Sequence, residues 1–139
     1  MRCATLALFL LFLTPGVLRA EPNAADKAAF QEIIGAQISA FRADDGAKAF
    51  GFASPDLHAK FGSPGVFMDM VKSGYAPVYR PRSVEFRAVI DHTRGPEQQV
   101  FVIGPDGRGY LAHYMFERQP DGSWRISGCY LERAQDESV

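Results

Sequence analysis

At 139 residues, 47% apolar and 22% charged, the chain is long enough to bury one core and too apolar to behave as a disordered polymer. A formal net charge of −1 gives it little electrostatic pull on nucleic acid or anionic membrane. Neither is therefore an expected partner.

The first element is a targeting pattern rather than part of a fold. Arg2 precedes an apolar run from Ala4 to Leu13, which Pro15 and Gly16 interrupt before the small Ala20. This is the layout of a secretory signal peptide over residues 1–20. The run falls short of the roughly 20 apolar residues that a membrane-spanning helix needs. Leu18 stands where a small residue is commoner, so an uncleaved anchor is the alternative. No apolar stretch precedes Cys3, so lipid attachment is not expected. Cleavage would leave residues 21–139 as a single exported domain, and losing Arg2 and Arg19 would move the net charge from −1 to −3. It would also leave Cys129 as the single cysteine, unable to form an internal bridge. A buried free thiol is expected there, with a reactive thiol or an interchain cross-link as alternatives.

Residues 24–43 show Phe30, Ile33, Ile34, Ile38 and Phe41 at helical spacing, with Asn23 as N-cap. Asp44 or Asp45 can cap a second short helix that runs through Phe52. FASP at 52–55 and FGSP at 61–64 repeat one signal, a serine cap followed by proline at the first helical position. Helices are predicted over 55–60 and 64–73, the second burying Phe67, Met70 and Val71. The spacing then changes to alternation. Val84, Phe86, Ala88 and Ile90 share one face of a strand, and residues 100–103 form a second. Tyr110, Ala112, Tyr114 and Phe116 define one face of a third, and Trp124, Ile126 and Tyr130 one face of a fourth. HTRGPE, GPDG and QPDGS read as the connecting turns. The glycines of 104–109 lie between strands with no helix after them, so they form a hairpin turn and not a phosphate loop.

Helices followed by a meander predict an α+β domain: N-terminal helices packed in a curled four-to-five-stranded antiparallel sheet. The shape expected is a cone with a cavity between the helices and the concave face. That order, with DGSWRI at 121–126, resembles the cone-shaped superfamily of nuclear transport factor 2, ketosteroid isomerase and the polyketide cyclases. More closely, AFRADD (40–45), FASPDLHAKFG (52–62), GYAPVYRPRSV (74–84) and RQPDGSWRISGC (118–129) resemble a bacterial family, domain of unknown function 4864, over nearly all of 21–139. The resemblance implies the cone fold and a place in the bacterial cell envelope, periplasmic or secreted. It implies no activity.

Ketosteroid isomerases work with a carboxylate base, a tyrosine and a protonated aspartic acid. Here the first helix has no tyrosine and the strand 100–103 no acid, while Asp69 and Asp91 fall at element margins and read as solvated. Related dehydratases and cyclases use histidine with aspartate. His58 falls on a short helix, His92 in a loop and His113 on a strand. His113 shares a face with Leu111, Met115 and Glu117, so it is expected to point outward, away from any cavity. Zinc-binding cysteine pairs, a two-histidine helix motif and a G-x-S-x-G elbow are all missing from the sequence. No metal or cofactor is expected.

The densest unusual stretch is GYAPVYRPR at 74–82. As a joint, Pro77 and Pro81 would stop a helix and hold the chain extended while the tyrosines close the core edge. As a cavity rim, Tyr75, Tyr79, Tyr110 and Tyr114 would line the walls and Arg80 would meet an anionic group. Both readings can hold together. The expected function is non-catalytic binding of a partner or of a small anionic or aromatic molecule. An isomerase- or dehydratase-type enzyme using the cone cavity is the alternative. A third reading is a structural role as a homodimer through the outer sheet face, where Leu111 and Met115 are apolar.

Overall fold

Asn23 accepts a hydrogen bond from the Asp26 N–H, and the Asp26 carboxylate accepts one from the Asn23 N–H. This reciprocal cap starts α1 (Ala24–Arg42) in the computed structural model, which describes residues 20–135. The signal-peptide pattern lies outside the described residues, apart from Ala20. α1 buries Phe30, Ile34, Ile38 and Phe41, together with Gln37 and Ala40, whereas Ile33 stays at the margin. Asp45 caps α2 (Gly46–Gly51), and Ser54 and Ser63 cap α3 (Pro55–Phe61) and α4 (Pro64–Gly74), each opened by proline. α4 buries Met68 with Phe67 and Val71; Met70, expected there, is half-buried. The chain then makes one further helical turn, α5 (Ala76–Tyr79), instead of the extended joint that the prolines suggest. Pro77 sits in its first turn, where a missing N–H leaves no bond unmade.

Four strands follow in an antiparallel meander of order β1-β2-β3-β4: β1 (Ser83–His92), β2 (Gly95–Ile103), β3 (Gly109–Arg118) and β4 (Trp124–Arg133). The helices pack on one face, so the domain is α+β. Phe30 of α1 stacks on Phe116 of β3 at 4.4 Å and meets Trp124 of β4 edge-on at 5.0 Å. The segment between α2 and α3 pairs with β4: Ser54 N–H donates to the Ile126 carbonyl and Ile126 N–H to the Phe52 carbonyl, both at 2.8 Å. This backbone tie holds the short helices against the sheet edge.

Three expectations fail in the strands, each for a local reason. β2 begins at Gly95, five residues earlier than the apolar run at 100–103 suggests. Gly95 has φ of 142° and lies so close to the Phe116 carbonyl that a side chain there would collide with it. In β1 the register shifts between Phe86 and Val89, so Val89 packs against the core while Ala88 and Ile90 are exposed. In β4 Met115 pairs with Gly128 but Phe116 pairs with Ile126, so Ser127 is an extra residue. Beyond this bulge Cys129 and Leu131 turn to the core, and Tyr130 turns outward, 52% exposed.

Candidate functional site

A cavity of about 500 Å³ lies between the helices and the inner face of β3 and β4. α1 contributes Gln37 and Phe41, α3 contributes Leu57 and Lys60, and α4 contributes Phe67 and Val71. The floor is β4 at its bulge, Ile126 to Cys129, beside Tyr114 of β3. The extra residue at Ser127 breaks the ladder here, and a backbone that bends at a bulge leaves room behind it. Size and lining fit the general pattern of small-molecule sites, roughly 300–1,000 Å³ with apolar walls and a few polar groups.

Tyr114 is 1% exposed, and its hydroxyl has no hydrogen-bond partner among the described residues. Burial pushes its ionisation well above the ordinary tyrosine range, so it is a neutral donor. An unpaired buried hydroxyl costs about 1–3 kcal/mol by protein mutational measures. The Tyr75 hydroxyl, by contrast, donates to the Cys129 carbonyl at 3.0 Å, spanning the cavity wall from α4 to β4. Burial raises Tyr75 as well and pushes the Cys129 thiol up to about 12. A thiol held protonated in this way is a poor nucleophile. Gln37 is buried and donates its amide to the Ala49 carbonyl at 3.2 Å. Lys60 is the one basic residue in the wall, and among the described residues no carboxylate lines the cavity.

The structure divides the five residues singled out in the sequence. Tyr75 and Tyr114 line the cavity; Tyr79, Arg80 and Tyr110 do not. Tyr79 and Arg80 instead grip the turn between α1 and α2. The Tyr79 hydroxyl donates to the Asp44 carboxylate, and Arg80 donates to the same carboxylate at 3.1 Å and to the Phe41 carbonyl. Asp44 has φ of 53°, a left-handed conformation rare outside glycine, and these two side chains hold it there. The hydrogen bond from Tyr79, with the Arg80 charge, keeps Asp44 below its usual range, and the same bond raises Tyr79. The Arg80 guanidinium also lies 4.0 Å from the Tyr79 ring centroid. Tyr110 donates to Asp106 at 2.7 Å within the β2–β3 turn.

His113 does face away from the cavity, but it is not solvated. It is 5% exposed, with Nδ1 3.0 Å from Glu97 Oε2 and Nε2 2.9 Å from Glu132 Oε2. The Tyr130 ring covers it at 4.2 Å, nearly parallel. Glu97 is itself 3% exposed and also meets Gln99 Nε2 at 2.9 Å and His92 Nε2 at 3.3 Å. Burial alone would raise this carboxyl, but the hydrogen bonds from His113, Gln99 and His92 outweigh it and leave it below its usual range.

Sequence reasoning missed Gln37, Lys60 and Ser127; it expected Cys129 to be a buried free thiol, and the thiol is free and packed against the core, on the face where Tyr130 was expected. Gly128 within a strand was the one available signal, since glycine there often marks a bulge. Among the described residues, no group of three His, Cys, Asp or Glu is placed to hold a metal ion, and no helix is long and apolar enough to cross a membrane. A family model described as Domain of unknown function (DUF4864) matches residues 23–139. Comparison with curated proteins and with solved structures gives no match.

Proposed function

The chain belongs to that domain-of-unknown-function family, and on the strength of its cavity we propose that it is a non-catalytic binder of a small, largely apolar molecule. The observation that carries this reading is the cavity itself, about 500 Å³ with mostly apolar walls, and among its wall residues is Tyr114, whose buried hydroxyl has no partner among the described residues. A ligand that accepts its hydrogen bond removes the cost of leaving it unpaired. The wall chemistry favours binding over an isomerase or dehydratase. It offers no carboxylate and no imidazole, and Tyr75, Tyr114 and Cys129 are all shifted toward their neutral forms.

The wider setting belongs to the same proposal. The helices-then-meander order supports a cone of the nuclear transport factor 2-like type. The Arg2–Ala20 pattern supports export to the periplasm or beyond. Exposed Tyr130, beside half-buried Leu111 and Met115, supports self-association through the outer sheet face. Intact mass of the envelope-fraction protein should begin at or near Glu21. A dimer in sedimentation should be weakened by Met115→Glu.

A fragment screen by ligand-observed NMR tests the binding reading, with hits mapped on the Met70 methyl at the cavity wall. Hits should shift that methyl and lose affinity in Leu57→Trp, which fills the cavity from α3. Hits that map elsewhere, or that bind the filled variant equally, would overturn it.

A further inference from the structure

We infer that the cavity selects a monoanionic amphiphile, an apolar molecule ending in a carboxylate, with the charged end at Lys60 and the apolar body directed toward Tyr114. This rests on the cavity being the binding site and adds the class and orientation of its ligand.

Charge is sparse in the cavity wall. Of the four ionisable residues lining the cavity, Tyr75, Tyr114 and Cys129 are held toward their neutral forms by burial. Lys60 is exposed, at the end of α3, and has no carboxylate partner among the described residues. Its ammonium lies 5.6 Å from the centroid of the Phe61 ring, another wall residue. Nearby cations are engaged elsewhere. Arg80 is bound to Asp44 and the Phe41 carbonyl, Arg125 to the Gly51 carbonyl, and Arg42 to the Pro81 carbonyl at 2.9 Å. Among the described residues the cavity therefore presents one positive charge at its rim and none inside.

Between Lys60 and the floor the wall is apolar: Leu57, Phe61, Phe67, Met70 and Val71. A ligand charged at both ends would bury one charge against these side chains without a counter-ion, which is prohibitive. A phosphate dianion calls for a fork of donors or several cations, and a single flexible ammonium is a point charge matched to one negative charge. A carboxylate at the end of an apolar body meets both conditions. It keeps its charge at the wet rim, where the lysine stem can reach it, and buries the rest.

The test is an NMR titration with octanoate, 1-octanol and octyltrimethylammonium, read at the Met70 methyl in wild type, Lys60→Gln and Tyr114→Phe. Lys60 is exposed, so its replacement leaves the fold intact. Octanoate should bind about two- to fivefold tighter than 1-octanol, the size expected of a partly exposed ionic contact, and octyltrimethylammonium weakest. Lys60→Gln should abolish the difference between octanoate and 1-octanol, and Tyr114→Phe should preserve it. Equal binding of octanoate and 1-octanol by wild type would overturn the ligand class while leaving the cavity reading intact. A carboxylate preference that persists in Lys60→Gln would overturn the role of Lys60. Failure of every probe to move the Met70 methyl would overturn the cavity reading itself.

Discussion

His113 and Tyr114 are neighbours on β3 and point to opposite faces of the sheet. Both are almost completely buried, yet each ring nitrogen of His113 meets a carboxylate oxygen, whereas the Tyr114 hydroxyl has no partner among the described residues. The outer face buries the more dangerous groups, the Glu97 carboxylate and the His113 imidazole, and has paired both. The inner face is nearly all hydrocarbon and, among the described residues, leaves two buried polar atoms unpaired: the Tyr114 hydroxyl and the side-chain oxygen of Gln98, its partner across the β2–β3 ladder. These two differ in turn. The Gln98 amide nitrogen donates to the Arg87 carbonyl at 2.9 Å and to the Ala88 carbonyl, filling the β1 bulge, and Gln98 is not part of the cavity wall. Its unpaired oxygen accompanies a structural task. Tyr114 performs no such task, and it lines the cavity. A polar network that holds a fold together is complete by itself, and a polar group kept for a ligand is not.

The inner face also has a packed end and an open end, and the largest effect should appear at the packed one. Phe30→Ala removes a ring that Phe116 and Trp124 enclose and should cost about 3–5 kcal/mol in urea unfolding. A loss below about 1 kcal/mol would mean that this end of the core collapses freely. On the outer face, His113→Ala strands the buried Glu97 carboxylate and should cost roughly 3 kcal/mol without changing ligand binding. A change in affinity with stability intact would show that the two faces are coupled.

Acid should act through Glu97. Its folded ionisation lies below its usual value, so the stability it contributes is full above about pH 4.5, its unfolded value, and is lost as pH falls through the depressed folded value. The stability gap between wild type and Glu97→Gln should therefore shrink below about pH 4. A gap independent of pH between 3 and 7 would assign it to packing rather than charge. The smallest effect should come from Tyr79→Phe, which loosens the grip on Asp44 at an exposed turn. It should lower the melting temperature slightly and leave octanoate binding unchanged; weakened binding would return Tyr79 to the site.

The helices were legible in the sequence because their signals are local. Asn23, Asp45, Ser54 and Ser63 each cap the helix that follows within a few residues, and Pro55 and Pro64 mark two of the starts. The strand faces were not, because alternation carries no mark of an inserted residue. One bulge in β1 sends Ile90 outward, and another in β4 exchanges Tyr130 for Cys129 on the inner face. The first half of β2, Gly95–Gln99, lacks apolar alternation, so of two of the most buried polar side chains Glu97 read as part of the turn HTRGPE and Gln98 was left outside any strand. In GYAPVYRPR, proximity along the chain suggested one shared purpose. Tyr75 lines the cavity, and Tyr79 and Arg80, four and five residues later, close a helix turn. Lys60 went unnoticed because a lysine on a short polar helix looks like any solvated surface residue until the cavity beside it is seen.

Tyr114→Phe separates a group kept for a ligand from one kept for the fold, in a single variant measured twice. Thermal unfolding of the free protein and titration with 7-oxooctanoate, or with 2-octanone should the carboxylate give no advantage, are compared with wild type; each carries a ketone acceptor near the end directed toward Tyr114. Deleting a hydroxyl that has no partner should stabilise the free protein by about 1 kcal/mol, a melting temperature higher by a few degrees. The same deletion should weaken the probe by about five- to tenfold, the worth of one hydrogen bond. A variant that melts lower than wild type and binds the probe equally well would show that the hydroxyl serves the fold, and would contradict a binding cavity built around it.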